Sequence, residues 1–469
     1  MLLRKGFYMG RNNSLKDGLH IIIVGGGKIG STLIEQLYKE GHDITVIDKN
    51  ASIIQSLTDS YDIMGICGNG ASYTIQMEAG IEIADLLIAV TDSDELNLLC
   101  CTVAKMVGRC SAIARVRTPD YSKEVPYLRE KLGLAMVINP EYETAKEISR
   151  ILSLPSALEV NSFAHGQAEL IKFKIPEGNM IDGRSIAELG KSIIASMVIC
   201  VVERGGEVYI PSGHFIVKSG DTLSFIGARK DVLSFLQQIG IPTRQAKNTM
   251  IIGGGKAAYY LASSLLHQGV SVKLIEKNRA RCEELSILLP KATVICGDGT
   301  EEDLLFEEGI RSADSFVPLT GSDEENILLT LNAKKISEAK VITKINHLNF
   351  KSVVGSLELG SVIYPRYICA EAIVAYVRAK KESRNSNIET LYHLADHRVE
   401  ALEFEVTEES PVTGTPLYKL NKKNNLVIAC INRDGHIIIP SGQDTIEVGD
   451  EVTVVTTHSG FRDLQDILA

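Results

Sequence analysis

Ile21-Ile-Ile-Val-Gly-Gly-Gly-Lys-Ile-Gly30 decides the fold of this 469-residue chain. A β-branched run stops at Gly25-x-Gly27-x-x-Gly30 and a helical pattern opens at Ile29, so strand, tight turn and helix follow without a spacer. In that setting the first glycine permits the turn, the second lets a phosphate approach the backbone, and the third lets helix and strand pack closely. Free amides and the positive dipole end of the helix then favour a phosphate group. The expected contacts of this loop are Gly25, Gly26, Gly27, Lys28, Ile29 and Gly30. Asp48 closes the next β-branched run, where a carboxylate accepts from both ribose hydroxyls and repels a 2′-phosphate. Adenosine nucleotides without that phosphate are the expected ligands.

Working outward, the stretch recurs as Met250-Ile-Ile-Gly-Gly-Gly-Lys256, and Thr45-Val-Ile-Asp48 recurs as Lys273-Leu-Ile-Glu276. Both matches have an offset of 228 residues, and Cys67-Gly-Asn-Gly70 matches Cys296-Gly-Asp-Gly299 at 229. Pro211-Ser-Gly213 and Pro440-Ser-Gly442 keep the register far downstream, so nearly the whole chain is a tandem duplication. Within each copy, short β-branched runs alternate with helical patterns over the first ~135 residues, which predicts a Rossmann-like, doubly wound parallel α/β sheet. The remainder carries hairpin turns such as Arg204-Gly-Gly206 and reads as a small α+β module. The predicted boundaries are 1–18 for an extension, 19–140 and 248–368 for the parallel-sheet domains, and 155–241 and 388–469 for the modules. The charged stretch Arg378 to Asn387 is expected at the surface.

The second copy varies the theme. Its contacts are expected from Gly253, Gly255, Lys256, Ala257 and Ala258, with Ala258 replacing the last glycine, Glu276 in the acid's place, and Tyr259 and Tyr260 narrowing the pocket. After the third strand, Asn69 with Gly70 and Asp298 with Gly299 either contact a base or cap a helix start. After the fourth, Thr91 with Asp92 and Thr320 with Gly321 reach ribose or phosphate, unless the acidic residues simply open the next helix. Arg115 and Lys344 end the fifth strands and serve either a phosphate or a surface salt bridge.

Composition sets the outer limits. Hydrophobic residues make 45% and charged residues 23%, an ordinary globular balance, and no apolar run approaches the ~20 residues of a membrane-spanning helix. The net charge of −10 argues against a nucleic-acid partner. Nine cysteines without a C-x-x-C pair suit a reducing compartment. No dehydrogenase His–Asp or Tyr-x-x-x-Lys set, G-x-S-x-G elbow or H-E-x-x-H motif follows either glycine loop, so no enzyme activity is expected. His393 and His397 have the spacing of one helix face, but two ligands make no metal site, and a solvated face is expected.

The order of Ile21–Gly30, Val46-Ile-Asp48, Ala84–Asp92, Asp94-Glu-Leu-Asn97, Ala114–Tyr121, Gly297-Asp298 and Ser322–Asn326, together with the duplication, resembles the regulatory subunits of bacterial Trk potassium uptake, the TrkA family. The resemblance implies two RCK (KTN) nucleotide-binding domains, each followed by a TrkA-C domain. It further implies a peripheral protein of the cytoplasmic face, assembled as a ring, expected to be a tetramer, under a TrkH/TrkG-like membrane subunit. NAD(H) and ATP/ADP are the implied regulatory ligands, with cyclic di-AMP at the C-terminal modules of some relatives. Two other readings stay open on the residues alone: a dinucleotide-dependent oxidoreductase, and a soluble ligand-binding protein without a membrane partner.

Overall fold

The computed structural model describes residues 18–122, 124–192, 196–243, 245–346, 354, 357, 359–380, 386–395 and 397–469. Nearly all of the expected extension, and 381–385 of the stretch expected at the surface, lie outside those residues. The chain forms two compact units, one built on the first parallel sheet and the other from residue 138 onward together with 117–123.

In the first unit, β1 (His20–Val24), β2 (Asp43–Asp48), β3 (Met64–Cys67), β4 (Leu86–Ala89), β5 (Ser111–Arg115) and β6 (Met136–Ile138) lie in the order β3-β2-β1-β4-β5-β6. β1 runs parallel to both β2 and β4, with Val24 beside Ile47 and Ala89. Ile21, Ile22 and Ile23 are wholly buried, which explains a continuous apolar strand instead of an alternating one. Strand order reverses between β1 and β4, so a crevice opens at the carboxyl ends of those two strands, where the Gly25–Gly30 turn lies.

The second unit starts with an antiparallel sheet of β7 (Glu159–Phe163), β8 (Ala168–Lys174), β9 (Met197–Arg204), β10 (Glu207–Tyr209) and β11 (Thr222–Ala228), ordered β10-β9-β11-β8-β7. A second parallel sheet follows: β12 (Asn248–Ile252), β13 (Ser271–Glu276), β14 (Thr293–Cys296), β15 (Ser315–Pro318), β16 (Lys340–Lys344) and β17 (Ser361–Ile363), ordered β14-β13-β12-β15-β16-β17. The last sheet is β18 (Ser386–Leu394), β19 (Val399–Val406), β20 (Leu426–Arg433), β21 (His436–Ile438) and β22 (Glu451–Thr456), ordered β18-β19-β22-β20-β21. The architecture is therefore two Rossmann-like parallel sheets, each followed by an antiparallel one. β7 and β18 are edge strands rich in polar residues.

Two places depart from expectation. The Pro365–Lys380 helix carries Arg378 into the interior, where it is 3% exposed and its guanidinium grips the Glu400 carboxylate at 2.9 and 3.0 Å. A carboxylate partner 22 positions away makes burial of an otherwise surface residue tolerable. His393 lies on β18 and His397 in the turn after it, so the pair occupies no helix face.

The two antiparallel sheets share one apolar core in which Phe163, Leu170 and Val201 from the first meet Leu394, Ala401 and Val455 from the second. Glu403 sits at this seam, 3% exposed, accepting from the Ala164 amide and, at 3.0 Å, from the Thr390 hydroxyl. Burial pushes its carboxyl from the usual 4.5 up to about 7. A raised folded value means stability that is complete below 4.5 and lost as pH rises through about 7. Glu403→Gln, which keeps an accepting oxygen, is expected to raise the melting temperature at pH 8 by the equivalent of at most ~3 kcal/mol. That gain should shrink to nothing toward pH 5 in a thermal scan; a pH-independent difference would contradict the assignment.

Candidate functional site

The glycine turns of the two copies are built alike. Gly25 and Gly253 hold φ of +102° and +95°, a left-handed conformation suited to glycine, and donate their amides to Ile47 and Ile275 at 2.8 Å each. The next amide meets the acid: Gly26 donates to Asp48 Oδ2 at 2.7 Å, and Gly254 to Glu276 Oε2 at 2.6 Å. The other carboxylate oxygen accepts from Asn50 in the first copy (2.8 Å) and Asn278 in the second (2.7 Å). Each acid therefore locks the turn to the end of the neighbouring strand and keeps spare lone pairs for ribose hydroxyls.

Gly27 and Gly255 cap the following helices in extended conformation, and a Cβ built on either meets nothing within 4 Å. This is the open side of the turn, where the amides of the helix start face outward. Gly30 is the opposite case, because a Cβ there would fall 1.9 Å from the Gly25 carbonyl oxygen. Ala258 occupies the corresponding position of the second copy and is wholly buried. Ile29 and Ala257 also turn into the core, whereas Lys28 is exposed at the mouth of the first turn.

The loops after β4 and β15 are pinned by two residues to which the sequence motifs assigned no role, Asn97 and Asn326. Both are fully buried. Asn97 Oδ1 accepts the Thr91 amide at 2.8 Å and its hydroxyl at 2.7 Å, while Nδ2 donates to the Arg115 carbonyl at 2.9 Å. Asn326 repeats this with Thr320 (2.9 and 2.9 Å) and the Lys344 carbonyl (3.0 Å). The signal was available as a Thr-to-Asn spacing of six in both copies. Each Thr hydroxyl hydrogen is taken up inside its loop, by the Asn Oδ1 or by the Ser93 or Ser322 carbonyl, so Thr91 and Thr320 can offer the crevice only an acceptor.

Arg115 is 7% exposed; its guanidinium binds the Thr91 carbonyl and, at 3.2 Å, the exposed Asp92 carboxylate. It thus braces the loop, beyond the simple surface pair that was the alternative. Lys344, in contrast, donates to the Leu319 carbonyl at 3.2 Å and lines the crevice of the second copy. That crevice is a cavity of about 280 Å³ walled by Gly253, Gly255, Glu276, Asp298, Gly299, Thr320, Gly321 and Lys344 among others. Lys256, Ala257 and Ala258 lie outside the wall: Lys256 Nζ reaches Thr118 at 3.0 Å. Tyr260 donates to the Arg117 carbonyl and Tyr259 packs on the core, so the tyrosines do not narrow this cavity.

Asn69 and Asp298 make turn bonds of the capping kind. Asn69 Oδ1 accepts from the Ala71 amide at 3.1 Å, and Asp298 Oδ1 accepts from the Thr300 amide and hydroxyl at 2.9 and 2.7 Å. The Thr300 amide holds the Asp298 carboxyl below its ordinary value, so it stays charged at the cavity edge. Gly70 and Gly299 press against Val24 and Ile252, where any Cβ would clash. Chemically, both crevices offer hydrogen-bond acceptors for ribose and amide donors for phosphate. The cavity wall contains no His, Cys or Tyr among the described residues.

Comparison with known proteins agrees with this layout. The TrkA-N domain model matches residues 21–140 and 249–365, and the TrkA-C domain model matches 170–240 and 401–469. A Trk system potassium uptake protein TrkA homolog of Archaeoglobus fulgidus is 31% identical over 449 residues, 96% of this chain and 100% of that protein. The Trk system potassium uptake protein TrkA of Haemophilus influenzae is 30% identical over 441 residues, covering 93% and 95%. A solved structure described as the GsuK channel bound to NAD has the same fold, with a TM-score of 0.61 at 18% identity over 94% of this chain and 77% of that one. With both domain types matched twice and in order, the chain belongs to the TrkA family of Trk-system potassium uptake proteins.

Proposed function

We propose that this chain is a non-catalytic, nucleotide-sensing gating subunit that binds NAD(H), ATP or ADP and thereby controls potassium flow through a TrkH/TrkG-like membrane subunit. The carrying observation is the duplicated contact of Asp48 with Gly26 and Glu276 with Gly254, which sets a ribose-accepting acid against an open phosphate-facing turn. The first site takes its ligand through Gly25, Gly27, Asp48 and Thr91, with Arg115 bracing the loop. The second uses Gly253, Gly255, Glu276, Thr320 and Lys344. No helix is long and apolar enough to cross a membrane among the described residues, which fits a subunit that acts on a separate pore from the cytoplasmic face. Assembly as a tetrameric ring is part of the same reading, as is cyclic di-AMP at the antiparallel modules.

Gating follows from differential affinity. A ligand shifts a two-state ring only as far as it prefers one state, and a tenfold preference contributes ~1.4 kcal/mol per site. Nucleotides of unlike phosphate charge in one crevice supply such a preference. Calorimetric titration with NAD and with ATP tests the first site: Asp48→Ala is expected to weaken binding there by about tenfold or more, ~1.4 kcal/mol. Unchanged affinity would remove Asp48 from the site.

A further inference from the structure

A different part of the second unit carries a cluster that the nucleotide crevices leave unused. Glu371, on the Pro365–Lys380 helix, and His393 and His397, at the end of β18 and in the turn after it, each offer one ligand atom, all within 4.8 Å of one another. We propose that these three residues bind a divalent transition-metal ion, which fastens the helix closing the second parallel-sheet domain to the antiparallel module that follows.

The backbone brings the histidines together. Ala395 and His397 take left-handed φ of 50° and 61°, folding the turn back so that the two imidazole rings lie 4.7 Å apart. Glu371 Oε1 reaches across from the helix, 3.1 Å from both the His393 amide nitrogen and His393 Nδ1. Ligands ~2.0–2.2 Å from a tetrahedral ion stand ~3.4 Å from each other, so closing the set takes shifts of about 1 Å, concentrated in the exposed turn bearing His397.

The surroundings are those of a metal-binding histidine. His393 directs its other ring nitrogen at Glu400, with Nε2 3.6 Å from Oε1, and Glu400 is in turn held by buried Arg378. A carboxylate on the far nitrogen fixes the ring's tautomer and orientation and makes the ligating nitrogen more basic. Tyr367 packs edge-on against His397, with ring centroids 4.4 Å apart. All three ligands line a cavity of about 570 Å³, which leaves room for water at the remaining coordination positions. Glu147, Glu159 and Lys172 share that wall, where burial raises both carboxyls, Glu147 to about 8, so the three ligands themselves carry the attraction for a cation. Two imidazoles with one carboxylate select a borderline ion such as zinc, cobalt or nickel over calcium or magnesium, which prefer all-oxygen sets. On binding, the ion displaces to solvent any proton at His393 Nδ1.

The test uses the full chain, stripped with a chelator and titrated with zinc by calorimetry and with cobalt by visible absorption. The parent is expected to bind one strongly held ion per chain and to give the cobalt bands of a low-symmetry nitrogen–oxygen site. Glu371→Gln and His397→Asn should each weaken zinc by about tenfold or more, and the double variant should lose the cobalt bands. Asn is chosen because it tolerates the left-handed backbone, and unchanged melting of the metal-free variants confirms that they fold. His165→Ala, in the exposed His165, Glu389 and Glu451 group, should leave binding intact. Absence of zinc binding by the parent, survival of the cobalt bands in the double variant, or loss of binding in His165→Ala would each overturn the proposal.

Discussion

Replacing Gly27 with Ala is expected to leave folding untouched while weakening NAD binding at the first site about tenfold to a hundredfold, ~1.4–2.7 kcal/mol. The two effects separate because of where the Cβ goes. Gly27 has φ of −68° in an extended conformation, and the added methyl meets nothing within 4 Å, so no strain or overlap arises in the free protein. Loss of backbone freedom in the unfolded chain and loss of a glycine cap act in opposite directions, each below about 1 kcal/mol. The same methyl, however, occupies the approach that a phosphate must take to the helix-start amides. Thermal unfolding and calorimetry on one preparation decide the matter: equal melting with one binding event weakened by that factor is the expected pair. Gly30→Ala is the contrasting control, since its Cβ would strike the Gly25 carbonyl at 1.9 Å and disturb the turn itself. Full NAD affinity in Gly27→Ala would mean that no phosphate lies against that turn.

The second large effect concerns stability. Arg378→Met is expected to cost the second unit about 3–5 kcal/mol in denaturant unfolding, because Glu400 would keep its charge in the interior without its bidentate partner. Side-chain exposures of 3% for Arg378 and 5% for Glu400 leave little water to compensate. Removing both charges with Arg378→Met and Glu400→Leu should recover most of that loss, since a buried pair contributes little relative to apolar residues of similar size. A single variant as stable as the parent would show that water reaches Glu400 after all.

Most of the fold was readable because its determinants are local. A β-branched run, a glycine turn and an acid at the next strand end lie within 28 residues of one another, and their recurrence near offset 229 places the second copy. What escaped depends on partners distant in sequence. Arg378 looked like a surface charge until Glu400 arrived beside it on β19, and His393 and His397 had helical spacing but are bent together by left-handed residues that are not glycine. Arg115 was read by its position at a strand end, and the Thr91 carbonyl that captures its guanidinium belongs to a neighbouring loop. Asn97 and Asn326 stood in the quoted motifs without a role of their own, although their spacing from Thr91 and Thr320 repeats, because an asparagine inside a helix carries no distinctive pattern.

The apolar seam between the two antiparallel sheets, where Phe163 and Leu170 meet Ala401 and Val455, joins partners that are covalently tethered. Each sheet therefore sees the other at a local concentration of roughly millimolar or above, whatever the amount of protein in the cell. Dilution cannot part them, and neither surface has to be complementary to itself, as it would in a two-fold pair of identical chains. That asymmetry leaves the two halves free to diverge, and Asp48 with Gly30 in one already stands against Glu276 with Ala258 in the other.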